Sequence, residues 1–333
     1  MVHTFTIQKK LNIKEYNRIF DIVRDKGAIY KVQDLQGDIY RSDIFKDRGL
    51  VFYFIKNTYA KLLDIRVNPV KLLERDLLDL VTIDDIKEID ERFNNIIAKI
   101  DDSLKNIFLY EVKRIDYTIN IKTKYTSEYI KLFQRADKPQ NFKELYNYKS
   151  HRRGQFKGSM YYTSKSVNIN FYDKSKERAD KGLYSEDDIL RLEIQCKRLK
   201  TNSIKKSEQF DYKYLFWYFQ YEMSDKYITN YYNKTIGKGN YYTLEKAIKL
   251  INKSNYTNAL KENLITLLKV VNRFRSVWKA RESGIFDKVK FNRLKNILQN
   301  ELNINIVTIP VSLKVSYLPN ILYSYSAEQN IGK

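Results

Sequence analysis

Three stretches of the sequence alternate between apolar and polar residues, and that alternation leaves few folds open. Within 112–121, Ile115, Tyr117, Ile119 and Ile121 alternate with Arg114, Asp116, Thr118 and Asn120. Within 167–174, Val167, Ile169 and Phe171 alternate with Asn168, Asn170, Tyr172 and Lys174; within 190–199, Leu192, Ile194 and Cys196 alternate with Arg191, Glu193, Gln195 and Lys197. Side chains on a strand point alternately to its two faces. Each stretch is therefore expected to be a strand with one apolar face and one face of acids, amides and bases. If the three share a sheet, the apolar side packs on helices and the polar side stands open.

Elsewhere the period changes. A strand is expected near 4–8 and then a helix, because Tyr16, Ile19, Phe20 and Val23 recur at helical spacing before Gly27. Short strands are expected at 50–56 and 62–68, the second stopped by Pro69, which has no N–H to give a ladder. Thr82 and Asp85 read as an N-cap pair opening a helix whose stripe is Ile86, Ile89, Phe93, Ile96, Ile97 and Ile100. A short helix is expected over 126–135. After about residue 205 helical signals take over, beginning with an aromatic run, 214–219, that reads as helix core. The expected fold class is α+β, with a strand-and-helix part over 1–204 and a mainly helical, basic region over 205–333.

Charge narrows the partners. The 333 residues hold 61 Lys and Arg against 40 Asp and Glu, a net +21, of which +2 falls in residues 1–100, +8 in 101–200 and +11 beyond. A polyanion rewards such a surface through counterion release, so nucleic acid is the expected partner, with A/T-rich codon usage as a plainer source of lysine. Residues 138–165 carry seven Lys and Arg, among them Arg152, Arg153, Lys157 and Lys165, against one acid, Glu144. Phe142, Tyr146, Tyr148, Phe156 and Tyr161 interleave with those charges, a composition suited to phosphates and unpaired bases and equally to a solvated loop. The lone Cys196 excludes intramolecular disulfides and Cys-rich zinc sites, and His3 and His151 stand too far apart in sequence to suggest a His-built metal centre. A reducing, cytoplasmic setting is expected. Apolar runs such as 50–55 are too short to cross a bilayer and the N-terminus does not resemble a signal peptide, so no membrane partner is expected.

Chemistry concentrates on the polar faces. Asp116 and Glu193 suit a divalent cation such as Mg2+ or Mn2+, since hard cations prefer carboxylate oxygens. Arg114 and Arg191, two residues away on the same faces, are alternative partners for those acids. Tyr172 is the candidate nucleophile; a phenol titrates near 10 and needs activation at neutral pH. Lys174 is placed to lower that pKa or to bind phosphate.

At these residues the sequence resembles a known family. The segments Arg114-Ile115-Asp116-Tyr117, Tyr161 to Ser166, Asn170-Phe171-Tyr172-Asp173-Lys174-Ser175-Lys176-Glu177 and Leu190-Arg191-Leu192-Glu193-Ile194-Gln195 resemble the core of the replication initiation factor (Rep_trans) family, in order and spacing. Asn68-Pro69-Val70-Lys71-Leu72 is also similar to a family feature. These are rolling-circle initiators of Gram-positive plasmids, with relatives in phages and mobile elements, and the resemblance spans roughly residues 1–200. It implies a TATA-binding-protein-like twisted antiparallel sheet with helices on one face, forming a nicking domain over 1–204 ahead of a DNA- or origin-binding region. It also implies strand nicking at an extruded origin hairpin by Tyr172, through a 5′-phosphotyrosine that leaves a free 3′-OH. Metal-binding acids carry over to Asp116 and Glu193, with Glu177 as a further ligand or base, and Lys174 accompanies the tyrosine. Implied partners are the double-strand origin, gripped by Arg114, Arg191, Arg152, Arg153, Lys157 and Lys165, and a bacterial host's helicase and DNA polymerase; a homodimer is admitted. One departure stands out: relatives can carry an acid where this chain has Arg66.

The histidine-centred nickases and relaxases need two histidines flanking one hydrophobic residue, and this chain has none. The remaining alternatives are a non-catalytic DNA-binding or replication-control protein on the same fold and a basic structural protein of a phage.

Overall fold

Local chemistry fixes the first helix. Asn12 Oδ1 accepts from the Glu15 N–H, and the Glu15 carboxylate accepts from the Asn12 N–H, both at 2.9 Å. This capping box satisfies two of the donors that a helix start leaves orphaned. The helix Ile13–Lys26 buries Tyr16, Ile19 and Val23 along one stripe.

The computed structural model describes residues 1–32, 38–144, 158–183 and 187–331, the side chains of 327–331 excepted. Its strands are β1 (Val2–Leu11), β2 (Ile29–Val32), β3 (Asp38–Ser42), β4 (Leu50–Lys56), β5 (Lys61–Val67), β6 (Glu111–Lys122), β7 (Lys143–Glu144), β8 (Ser159–Thr163), β9 (Val167–Asp173) and β10 (Ile189–Cys196). They form one sheet in the order β2-β3-β4-β5-β1-β6-β10-β9-β8-β7. The ladders from β2 to β6, and that of β7 with β8, are antiparallel. The fold class is thus the expected α+β, and after β10 the described residues are mainly helical.

The chain divides into two compact units that are not successive halves. The first holds residues 1–119, 165–168 and 193–228; the second holds 120–164, 169–192 and 229–333. Residue 204 therefore lies inside the first unit. In the first unit, Phe5, Phe52, Phe54, Ile65 and Val67 are fully buried, and the helix Ile86–Ile97 adds Ile89, Phe93, Ile96 and Ile97. In the second, Phe133, Phe171 and Tyr232 pack as a triad, with ring centroids 5.8–6.1 Å apart. Burial of such aromatic side chains dominates core energetics.

Three expectations need correction. The run 214–219 is not all core: Leu215, Tyr218 and Phe219 are buried, whereas Tyr214, Phe216 and Trp217 are 41–45% exposed. A four-residue helix, Leu215–Tyr218, is too short to bury more than one side. The polar faces of β6 and β10 are not open: Asp116 is 1%, Thr118 0%, Arg191 0% and Glu193 4% exposed. Finally, β9 ends at Asp173, whose side chain caps the helix Lys174–Ala179 by accepting from the Lys176 N–H at 2.9 Å. Lys174 therefore begins a helix and does not share a strand face with Tyr172. No described helix is long and apolar enough to cross a membrane.

Candidate active site

In the first unit, Asp116 and Glu193 are each held by a local network. Asp116 receives both arms of Arg114, Nε to Oδ1 at 2.8 Å and Nη2 to Oδ2 at 2.7 Å, and accepts from the Thr4 hydroxyl, which the β1–β6 register sets directly opposite. The arginine pairing left open by the sequence is therefore the one adopted for Asp116. Gln195 Nε2 donates to Glu193 Oε1 at 2.6 Å, and Gln195 Oε1 in turn accepts from Asn168 Nδ2 at 2.7 Å; His3 Nδ1 lies 3.5 Å from Glu193 Oε2. Burial pushes the Asp116 carboxyl above its usual range, Arg114 opposes the shift, and the charge of Glu193 adds to it. Each carboxylate so held loses water, and like charge nearby disfavours ionising both.

Two carboxylates that feel each other's charge in a dry place present a donor set made of oxygen. Both Asp116 oxygens are already engaged by Arg114 and Thr4, so a hard divalent cation, which prefers such oxygens, would have to displace those donors. Among the described residues no three His, Cys, Asp or Glu side chains gather in a metal-ligand group.

In the second unit, Tyr172 is half-buried and lines a cleft of about 380 Å³ with Tyr161, Asn170, Asp173, Lys176 and Glu177. Glu177 is the pivot of this region. Lys174 Nζ lies 2.5 Å from its Oε2, and Lys181 also donates to it. Burial works against its ionisation, but these two lysines carry its carboxyl below the usual range. Lys174 is 6% exposed; burial, then the charge of Arg191, draw its ammonium pKa down, with Glu177 opposing.

Arg191 does not join Glu193. Its Nε donates to Asn120 Oδ1 at 2.7 Å, while Nη1 and Nη2 are buried without a hydrogen-bond partner among the described residues. A buried guanidinium with two idle donors is unusual, since such groups are nearly always satisfied.

The remaining basic candidates separate. Arg114 lines a cleft of about 380 Å³ in the first unit with Tyr53, Arg66, Lys113, Lys197 and Arg198. Asp64 lies there too, but it is taken by Lys113 and by Gln8 Nε2 at 2.6 Å. Arg66, the departure from the family pattern, is exposed in this basic cleft. Lys165 is exposed between β8 and β9. Arg152, Arg153 and Lys157 lie outside the described residues. Nothing local in the sequence marks His3, Thr4 or Asn168 as partners of this network; Gln195 stands two residues from Glu193 on the same strand face, whereas strand register alone brings Thr4 to Asp116.

The family model that describes the N-terminal part of a replication-associated protein (Phage_CRI) matches residues 6–212. No curated protein matches the chain. Among solved structures, it is similar to the "Structure of Rolling Circle Replication Initiator Protein from Geobacillus stearothermophilus", at 10% identity and a TM-score of 0.33 over 62% of this chain and 77% of that one. It is also similar to the "Crystal structure of the di-domain ARO/CYC BexL from the BE-7585A biosynthetic pathway", at 8% identity and a TM-score of 0.20 over 69% of this chain and 93% of that one.

Proposed function

Because the chain belongs to the Phage_CRI family of replication-associated proteins, we propose that it initiates rolling-circle DNA replication by nicking one origin strand and holding the cut end on Tyr172. The supporting observation is the cleft that Tyr172 shares with Glu177 and Lys176. In this reading Glu177 accepts the phenolic proton as Tyr172 Oη attacks the scissile phosphorus. The new P–O bond forms as the bond to the 3′ oxygen breaks, and the proton taken by Glu177 passes on to that oxygen through water, leaving a 3′-OH and a 5′-phosphotyrosine. Covalent capture conserves the phosphodiester for rejoining, which attack by water would forfeit. The idle donors of Arg191 and the desolvated Lys174 supply positive charge for the phosphate oxygens.

In this reading Asp116 and Glu193 would hold Mg2+ or Mn2+, which would supply Lewis-acid chemistry there. In this reading Tyr53, Arg66, Arg114, Lys197 and Arg198, which line one cleft, meet the DNA backbone, and Lys165, Arg152, Arg153 and Lys157 supply further phosphate contacts. The extruded origin hairpin, the host helicase and the polymerase belong to the same reading.

The test is incubation with supercoiled plasmid carrying the native origin in Mg2+, followed by a denaturing gel and mass spectrometry of the tryptic digest. A nucleotide adduct on the peptide containing Tyr172, absent in EDTA, is expected. Nicking without an adduct overturns the covalent step, and DNA binding without nicking favours the non-catalytic replication-control protein.

A further inference from the structure

Outside the site just described, a cleft in the second unit gathers three arginines that no acid pairs among the described residues. It has a volume of about 850 Å³, and Arg135, Arg273 and Arg275 line it together with Ile248, Ile309 and Val311. The backbone holds the arginines together. Arg273 lies in the last turn of the helix Asn258–Phe274, Arg275 follows as its cap at φ 51°, and the Val277 N–H two residues on donates to the Arg135 carbonyl at 2.9 Å. The one acid lining the cleft, Glu245, is paired to Lys249 at 2.7 Å. Among the described residues none of the three guanidinium groups forms an ion pair. A helix C-terminus carries only about half a negative charge, too little to balance them. Burial, and then the charge of Arg275, draw the Arg135 guanidinium below its ordinary value.

We propose that this cleft anchors the sugar–phosphate backbone of duplex DNA, with phosphates on Arg135, Arg273 and Arg275 and deoxyribose against Ile248, Ile309 and Val311. The proposal rests on the reading that the chain acts on DNA. Guanidinium forks match phosphate oxygens, and the +11 carried after residue 200 favours a polyanion over an isolated anion. Val311, 92% exposed, is an apolar surface awaiting cover. Among the described residues no aromatic side chain lines the cleft, so unpaired bases find no stacking platform there, and a duplex is favoured.

The experiment measures binding of a duplex of the native origin across a salt series. Removing one phosphate-binding charge lowers the slope of log K against log salt by about one. Arg273→Gln with Arg275→Gln, both exposed positions, is expected to lower it by about two, and Arg135→Gln alone by about one. Lys253→Gln with Lys269→Gln removes the same charge outside the cleft and is expected to leave the slope within about half a unit of wild type. Equal changes in the cleft and control variants, or none in the cleft variants, overturn the proposal; in the second case an acidic protein segment becomes the better occupant. A change seen only with an equally long single strand also overturns it. Adduct formation on a single-stranded origin oligonucleotide, expected unchanged in the Arg273→Gln, Arg275→Gln variant, reads the nicking proposal separately. A wild type that forms no adduct defeats that proposal and leaves the slope result to stand or fall alone.

Discussion

Arg191 sets stability against use within one side chain. Its guanidinium is wholly buried, and a single hydrogen bond to Asn120 satisfies only one edge of it. Desolvating an unpaired charge is costly, and replacing buried ionic groups by apolar ones of similar volume is often neutral or stabilising by about 1–4 kcal/mol. Arg191→Met is therefore expected to keep the melting temperature or raise it by a few degrees, while slowing adduct formation. Thermal unfolding and the adduct assay check the two halves. A fall of several degrees would mean that the guanidinium has a structural partner after all. Asp116 stands at the opposite pole: two arms of Arg114 and the Thr4 hydroxyl surround it, and burial still raises its carboxyl.

At the scale of elements, the Asn68-Pro69 pair proves to be a structural joint. Asn68 Oδ1 caps the short helix Pro69–Leu72 by accepting from the Lys71 N–H at 3.1 Å, and Pro69 takes the first helical position, where no N–H is needed. The Asn68 N–H donates to the Gly49 carbonyl at 2.8 Å, and Gly49 sits at φ 85°. A Cβ there would come within 2.5 Å of the Asn68 carbonyl oxygen. Gly49→Ala is expected to destabilise the protein by at least about 1–2 kcal/mol through left-handed strain alone, with the clash adding to it. An unchanged midpoint in chemical denaturation would contradict this joint. Elements are legible in the sequence where one local rule decides them. Alternation exposes β6, β9 and β10, and helical spacing exposes Ile13–Lys26 and Ile86–Ile97. Strands β2 and β3 leave no such sign, because Ile29–Val32 and Asp38–Ser42 are only partly buried and carry no clean alternation. Lys174 reads as a strand residue because it falls in step with Asn168, Asn170 and Tyr172; Asp173, polar on the apolar side of that alternation, is the one local sign of a break, and its cap begins a helix.

The whole molecule explains the remainder. Chain order sets Tyr172 between two acid-bearing strands, whereas the sheet order places β6 and β10 side by side, with β9 beyond them. Long-range pairing decides such an order, and nothing within a strand encodes it. That order puts Asp116 and Glu193 in one unit, near enough to influence each other's ionisation, and Tyr172 with Glu177 in the other. Part of the net +21 lines a basic cleft around Arg66 in the first unit, and part lines the arginine cleft in the second. The central claim is that Tyr172 is the nucleophile. Tyr172→Phe removes one oxygen from a half-buried side chain and leaves the ring, so the fold and DNA affinity are expected to persist. The decisive measurement is covalent attachment of this variant to supercoiled origin plasmid on a denaturing gel, beside wild type. Loss of the adduct with binding retained is the expected result; an adduct formed at the wild-type rate would contradict it.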